Sequence, residues 1–579
     1  MNCCNIVLNQ SFFNRGNIMG KKLKNDDMMC FNENYPMFRH LNPLIYKKVM
    51  NTKKMINDGV NPQEFINRGG VDLNTYNTLQ QMWQDKNDTI EASKQEGTTA
   101  DGKPITIGPC TKIKPVVGSK KALVLLIEFA DKKNSTSPQV FNNLLFNSQY
   151  SFKNYYLEVS WNQLTIDGYV NEEWLEASNN RSNYVDTTFV NGHFVKAQSL
   201  VEEALNNLKN QDKLNFADYA KDGEIELLIV VYAGSGMDTK LNAKYIRPHT
   251  DKLLNPVEVA PGIWAKNYSI IPELPSDDVG CFCHEIGHQL GLPDLYKDGY
   301  NTIVGGWCLM GVGDHNNGGR TPGHLSAWCK IHLGWTNPIV IDGSIKNQDL
   351  TAVNNSDPAN KIYKILVDGS DGKEYFLVEN RQQVGFDVGL PANGLIIWHI
   401  DENNCIYSAP NHDPNNFFLT LTQSDGKDEL RENMLDIEKL EGGQLTEKDL
   451  SGDNGDPYPG VTNNTIFDDK SNPPSRTYRN AQSGVVINSI SNSNELMTAN
   501  MGTITNAGNI AQTPSDIKVV PTFKAKSVRT MPVWKEPPED PCLKLIKEKT
   551  FLIYYQKGYK KGFHEGYVDA RKKLSKKIQ

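Results

Sequence analysis

His284-Glu285-Ile286-Gly287-His288-Gln289-Leu290-Gly291-Leu292-Pro293-Asp294 is the stretch whose reading decides the fold. On a helix, His284 and His288 stand one turn apart and project from the same face. Two imidazoles so placed can bind one divalent metal, and Glu285 beside the first can serve as a base. Gly291 lets the backbone leave the helix through a left-handed conformation that other residues resist. Pro293 cannot continue a helix, so the chain turns back and Asp294 becomes available as a third ligand. Three protein ligands and an open position are what a catalytic zinc site requires.

The bare His-Glu-x-x-His pattern fixes only three residues, and many matches to it are ordinary surface helices. Here Gly291 and Asp294 follow at fixed offsets, and the flank Val279-Gly280-Cys281-Phe282-Cys283 is apolar, as a buried helix requires. Downstream, Gly306-Trp307-Cys308-Leu309-Met310-Gly311-Val312-Gly313 is a glycine-flanked turn carrying Met310. A lone methionine is usually core filler. Following this helix, Met310 resembles the methionine that floors the metal site of metzincin proteases.

With these residues in place, the chain is similar to metallopeptidases of the immune inhibitor A family, whose motif is His-Glu-x-x-His-x-x-Gly-x-x-Asp. Lys121–Asp131 resembles that family's first strand, and Tyr155–Ser160 (YYLEVS) its following helix. Gly223–Gly236 is similar to its central strand and glycine turn, and Ile246–His249 to a segment before the active helix. Pro322–Lys330 with Leu333-Gly334-Trp335 matches the helix after the methionine turn. Glu374–Asp387 and Gly394–Asp401 (GLIIWHID) match the β domain beyond it. The likeness runs over roughly residues 117–505. It departs from some metzincins, which carry a tyrosine two residues after the methionine where this chain has Val312.

A length of 579 residues is ample for several domains. The net charge of −7 argues against nucleic acid as a main partner. Mean hydropathy of −0.52, with no apolar run near twenty residues, excludes a spanning helix. Ala122–Ile127 and Leu227–Tyr232 are too short to span and read as buried strands. Met1–Gly20 shows no clear apolar core or small-residue cleavage site of a signal peptide, whereas the resemblance implies secretion. The ten cysteines leave disulfides possible and the compartment open.

The expected fold class is α+β: a zincin/metzincin-like catalytic domain, then a β-sandwich domain. Residues 1–116 form an N-terminal segment, with helical stretches around Pro43–Asp58 and Leu73–Lys94, and the resemblance implies a propeptide there. Cys110 reads as a structural or idle cysteine rather than a latency thiolate. The catalytic domain covers 117–340, in the order strand, helix, strand, long helix, strand, active helix, methionine turn, helix. Val195–Gln211 carries apolar residues at helical spacing and reads as a backing helix. Asn267–Glu273 could run along the cleft as a strand that pairs with substrate backbone.

Residues 341–505 alternate as short strands, among them Ile362–Val367, Lys373–Val378, Leu395–His399 and Phe417–Leu421, as a β-sandwich does. Its acidic turns at Asp425–Asp428 and Ser451–Asp456, with Asp453 and Asp456, suit calcium as well as they suit solvated turns. A proline-rich linker (506–541) leads to a basic, aromatic and glycine-rich tail (542–579). That tail could dock on a membrane surface or a protein partner, and a loosely ordered solubilising tail fits it as well.

The expected activity is zinc-dependent endopeptidase cleavage of protein or peptide substrates. One Zn2+ is held by His284, His288 and Asp294, with Glu285 as general base and acid and Met310 in support. His315, His324, His249 and Tyr296 are weaker candidates for the cleft, each more readily explained as packing or turn capping. The alternative is a catalytically inactive, protease-like binding protein acting through its β-sandwich or tail. Retention of Glu285 argues against that, because a binding protein has no need of it.

Overall fold

The structure is a computed structural model and describes residues 51–77, 114–186, 193–211, 213–236, 245–296, 302–354, 361–404, 411, 417–431 and 451–504, with the backbone of Met37–Phe38. Cys110, the linker and the C-terminal tail lie outside the described residues, as do parts of the N-terminal helical stretches; within those, residues 51–57 and 73–77 are helical.

The first sheet is built on β1 (Gly118–Glu128), β2 (Leu164–Val170), β3 (Leu227–Ser235), β4 (His249–Ala260) and β5 (Ile263–Leu274). Its order is β4-β5-β3-β1-β2, and Met37–Phe38 pairs on the outer side of β4. All neighbours run parallel except β4, which is antiparallel to β5 and to Met37–Phe38. Strand alternation divides the apolar run of β1 between two cores. Ala122, Val124 and Leu126 face one, while Leu123, Leu125 and Ile127 face the other.

Two helices on one face and one on the other complete the layers. The second core takes Ala197, Leu200, Val201, Ala204, Leu205 and Leu208 of α2 (Val195–Gln211), so this helix backs the sheet as its spacing predicts. The first core takes α1 (Phe152–Val159) and the active helix α3 (Val279–Gln289), buried along nearly its whole length. The sequence-based element order missed β4. Asn267–Glu273 lie in β5, where Asn267–Ile270 pair with β4 and Ser269–Pro272 with β3, so the backbone is taken on both sides at Ser269 and Ile270. On its outer side β4 is paired by Met37–Phe38, at Thr250 and His249.

After α4 (Ala327–His332) the chain becomes β-rich. A five-stranded sheet contains β6 (Ile339–Ile341), β8 (Ile362–Leu366), β9 (Glu374–Arg381), β10 (Gly394–Asp401) and β11 (Leu419–Thr422). A three-stranded sheet contains β7 (Ser344–Thr351), β12 (Val485–Asn488) and β13 (Leu496–Thr503). Alternation again separates two faces. Tyr363, Ile365, Phe376, Val378, Leu395 and Ile397 pack with the three-stranded sheet. Ile362, Tyr375, Leu377, Ile396, Trp398 and Ile400 join the core that holds α1 and α3. The five-stranded sheet is thus buried on both sides, and one of its faces is continuous with the interior under the active helix.

Candidate metal centre

Asp278 caps α3, its side chain accepting a hydrogen bond from the Cys281 backbone at 3.1 Å. The helix ends at Gln289, and Gly291 has φ of +102°, as its place after the helix predicts. The turn carries Leu292 to where its carbonyl accepts a hydrogen bond from His288 Nδ1 at 2.8 Å. The Leu309 carbonyl accepts one from His284 Nδ1 at 3.0 Å.

These two bonds fix the tautomers. A carbonyl can only accept, so each Nδ1 carries a proton and each neutral imidazole presents a bare lone pair at Nε2. The two Nε2 atoms lie 3.1 Å apart. Asp294 Oδ1 lies 3.1 Å from His284 Nε2 and 3.4 Å from His288 Nε2. Three electron-pair donors therefore converge in a buried place, and a positive charge among them is needed to hold them together. Burial pushes the His284 pKa down, but the hydrogen bond to Asp294 and the charges of Asp314, Asp294 and Glu285 outweigh it and raise it to about 9. Two nitrogens and one carboxylate oxygen, with the Leu309 and Leu292 carbonyls already holding the imidazoles, fit the donor set of a zinc ion.

Glu285 is fully buried next to the triad. Thr250 Oγ1, on the edge strand β4, lies 2.9 Å from Glu285 Oε2 and 2.8 Å from its carbonyl. Oε1 has no hydrogen-bond partner among the described residues. Burial raises the Glu285 pKa, opposed by the charges of His288 and His284. A carboxyl so held is poised to take and return a proton.

Met310 is buried beneath the helix: a Cβ placed on Gly287 would stand 2.7 Å from its Sδ. The Met310 carbonyl accepts a hydrogen bond from Leu295 N at 2.8 Å, so the turn that carries Met310 also holds the chain next to Asp294. Sequence reasoning missed Thr250, since nothing in a polar strand announces which threonine will meet Glu285. It also set Tyr296 down as packing, whereas the Tyr296 hydroxyl hydrogen-bonds Asp294 and is pushed up by burial.

The other candidate histidines, His249, His315 and His324, are not among the clustered donors. His249 is enclosed by the Arg247 carbonyl at 2.8 Å and Tyr268 Oη at 2.9 Å, and burial lowers its pKa to about 3. His324 bonds Glu158 Oε1 at 2.8 Å, away from the donor triad. His315 lies 3.9 Å from Asp314 Oδ2. In the acidic loops the Asp453 carboxylate clusters with those of Asp425 and Glu429. Asp456 accepts from Trp307 Nε1 at 2.8 Å, Asp453 N at 2.9 Å and Gln423 Nε2 at 2.6 Å, which leaves it a clamp between loops. Lys427 Nζ already sits 2.8 Å from Asp425 Oδ2. Cys281, Cys283, Cys308 and Cys329 are buried, and none of them forms a disulfide.

Comparison with known proteins agrees with this geometry. Residues 111–227 and 241–336 match the family model for the immune inhibitor A peptidase M6 catalytic domain. The pre-pro-metalloprotease PrtV of Vibrio cholerae is 28% identical over 279 residues, covering 38% of this chain and 30% of PrtV. Immune inhibitor A of Bacillus thuringiensis is 27% identical over 292 residues, covering 39% of this chain and 42% of that protein. The chain thus spans 30% and 42% of the length of these relatives. The β-rich region beyond 336 lies outside the family match. Across residues 111–227 and 241–336 the chain is thus similar to the catalytic domain of immune inhibitor A peptidases, and it brings a metallopeptidase's donors together there.

Proposed function

We propose that this protein is a zinc-dependent endopeptidase acting on protein substrates. The observation that carries the reading is the convergence of His284 Nε2, His288 Nε2 and Asp294 Oδ1, each imidazole with its other nitrogen committed to a carbonyl. His284, His288 and Asp294 would hold the ion, which when bound polarises the scissile carbonyl and acidifies water. Glu285 takes the proton of the attacking water and later delivers it to the leaving amine, while Thr250 keeps its carboxyl oriented through Oε2. The edge of β4 offers backbone groups for an extended substrate to pair with.

The same edge supports a zymogen. Met37 and Phe38 pair antiparallel with Thr250 and His249, which places the chain's own backbone along the strand that holds Glu285. The Vibrio cholerae relative is a pre-pro-metalloprotease. We read residues 1–116 here as a pro-segment and the working compartment as extracellular. One catalytic zinc is the whole of the metal proposal; the Asp425 cluster, with Lys427 already paired, adds no second ion to it.

The test measures bound zinc and chelator-sensitive cleavage of casein for full-length protein, protein trimmed of residues 1–116, and Glu285→Gln. Trimming is expected to raise cleavage. Glu285→Gln is expected to keep zinc and lose roughly two to four orders of magnitude in rate. A trimmed protein that binds zinc and cleaves nothing would leave the inactive binding protein as the surviving reading.

A further inference from the structure

Arg381 closes β9 and Asp387 lies in the short 3-10 turn Gly385–Gly389, both wholly buried and both beyond the family-matched region. Arg381 grips Asp387 through Nε and Nη2, each bond 2.7 Å long. Within the β region the pair's one further contact among the described residues is Arg381 Nη1 with Glu379 Oε1 at 3.4 Å, and its shorter bonds go elsewhere. Arg381 Nη1 donates to the Trp307 carbonyl at 2.9 Å, and Asp387 Oδ1 accepts from His324 N at 2.8 Å. The His324 carbonyl in turn accepts from Leu309 N at 3.2 Å. Leu309 is the residue whose carbonyl receives His284 Nδ1–H.

We propose that Arg381 and Asp387 are positioning residues for the metal centre, gripping the methionine turn at Trp307 and, through His324, at Leu309, so that the Leu309 carbonyl fixes the tautomer and direction of His284. The reading rests on the zinc site proposed above. Its logic is that of outer-shell partners of a metal: a ligand histidine is only as well aimed as the acceptor behind it. A planar guanidinium suits the task because its fork can hold both carboxylate oxygens while a third N–H reaches another acceptor. An ammonium cannot span Asp387 and the Trp307 carbonyl together. The turn so held also carries Met310, whose carbonyl fixes Leu295 beside Asp294, so one clamp governs two of the three ligands.

The test uses full-length protein carrying Arg381→Lys, and a second variant, Arg381→Met with Asp387→Leu. The double change removes both charges of the Arg381–Asp387 pair at once, and Glu379, which loses its 3.4 Å contact with Arg381, keeps the hydrogen bond from Trp398 Nε1. Leu350→Ala, in the core between the two β sheets, serves as a destabilised control away from the turn. Zinc affinity is read by chelator competition, ligand geometry by the visible spectrum of the cobalt(II)-loaded protein, and folding by urea unfolding of the metal-free form. Both clamp variants are expected to lose roughly ten- to hundred-fold in zinc affinity and to shift the cobalt bands. Leu350→Ala is expected to unfold earlier with affinity and spectrum intact. If a folded clamp variant binds zinc within twofold of wild type, or if Leu350→Ala weakens zinc equally, the assignment is overturned. Should Arg381→Lys fail to fold, the double variant decides by the same readings. Wild-type protein that holds no zinc would sink the metal-site reading itself, and the clamp with it.

Discussion

His249 shows how a histidine beside the active strand can matter without touching the chemistry. It is fully buried between the Arg247 carbonyl and the Tyr268 hydroxyl, and burial lowers its pKa to about 3. In the unfolded chain a histidine takes up its proton near 6.5. Between those values the unfolded state binds the extra proton, so acidification favours unfolding across that window. The stability that neutral His249 supports is complete above about pH 6.5 and falls by about 1.4 kcal/mol per pH unit below it. Urea midpoints at pH 7.5 and 5.0 are expected to drop by less in His249→Gln than in wild type; an equal drop in both would place the acid sensitivity elsewhere. At this scale the sequence was legible where spacing along one helix does the work, as for His284, Glu285 and His288. Thr250 and Tyr296 were not, because their partners come from other elements and no local pattern encodes such meetings.

Among elements, α3 and the methionine turn fit against each other at one point, Gly287 over Met310 Sδ. Ala is favoured over Gly in a helix by about 1 kcal/mol. Against wild-type Met310, however, the added methyl meets sulfur at 2.7 Å, and overpacking of this kind costs about 1–3 kcal/mol. Gly287→Ala alone should therefore destabilise, and Met310→Ala should destabilise by about 2–5 kcal/mol. Placed in the Met310→Ala background, Gly287→Ala should change sign and stabilise, since the space it needs is then open. Urea midpoints of the four proteins check this, and additive effects would mean the two residues do not meet. The elements most visible beforehand were those with uniform patterns, such as the apolar run of β1 and the single stripe of α2. β4 escaped because it is an edge strand whose register is broken between Lys252 and Val257, with Pro256 and several charges in it.

For the molecule as a whole, the change of composition near residue 340 marks where the β-rich region begins, yet the interior does not stop there. Ile362, Leu377, Trp398 and Phe418 share one core with Tyr155, Ile286 and Met310. A chain ended at residue 340 would lose that cover together with Arg381 and Asp387. It is expected to be insoluble or to lack a cooperative thermal transition, whereas residues 114–504 should retain one. A soluble, zinc-binding fragment ending at 340 would contradict this. Composition could not reveal the shared core, because alternation along β9 and β10 shows that both faces are apolar without saying what each face covers.

Met37 and Phe38 occupy the outward side of β4. A bare strand margin is a template for any extended chain, a sister molecule included. Release of the leading segment would therefore uncover two things at once, a place for prey and a place for self-association. The freed enzyme should live longest when peptide is plentiful, and in its absence should consume or clump with its own kind.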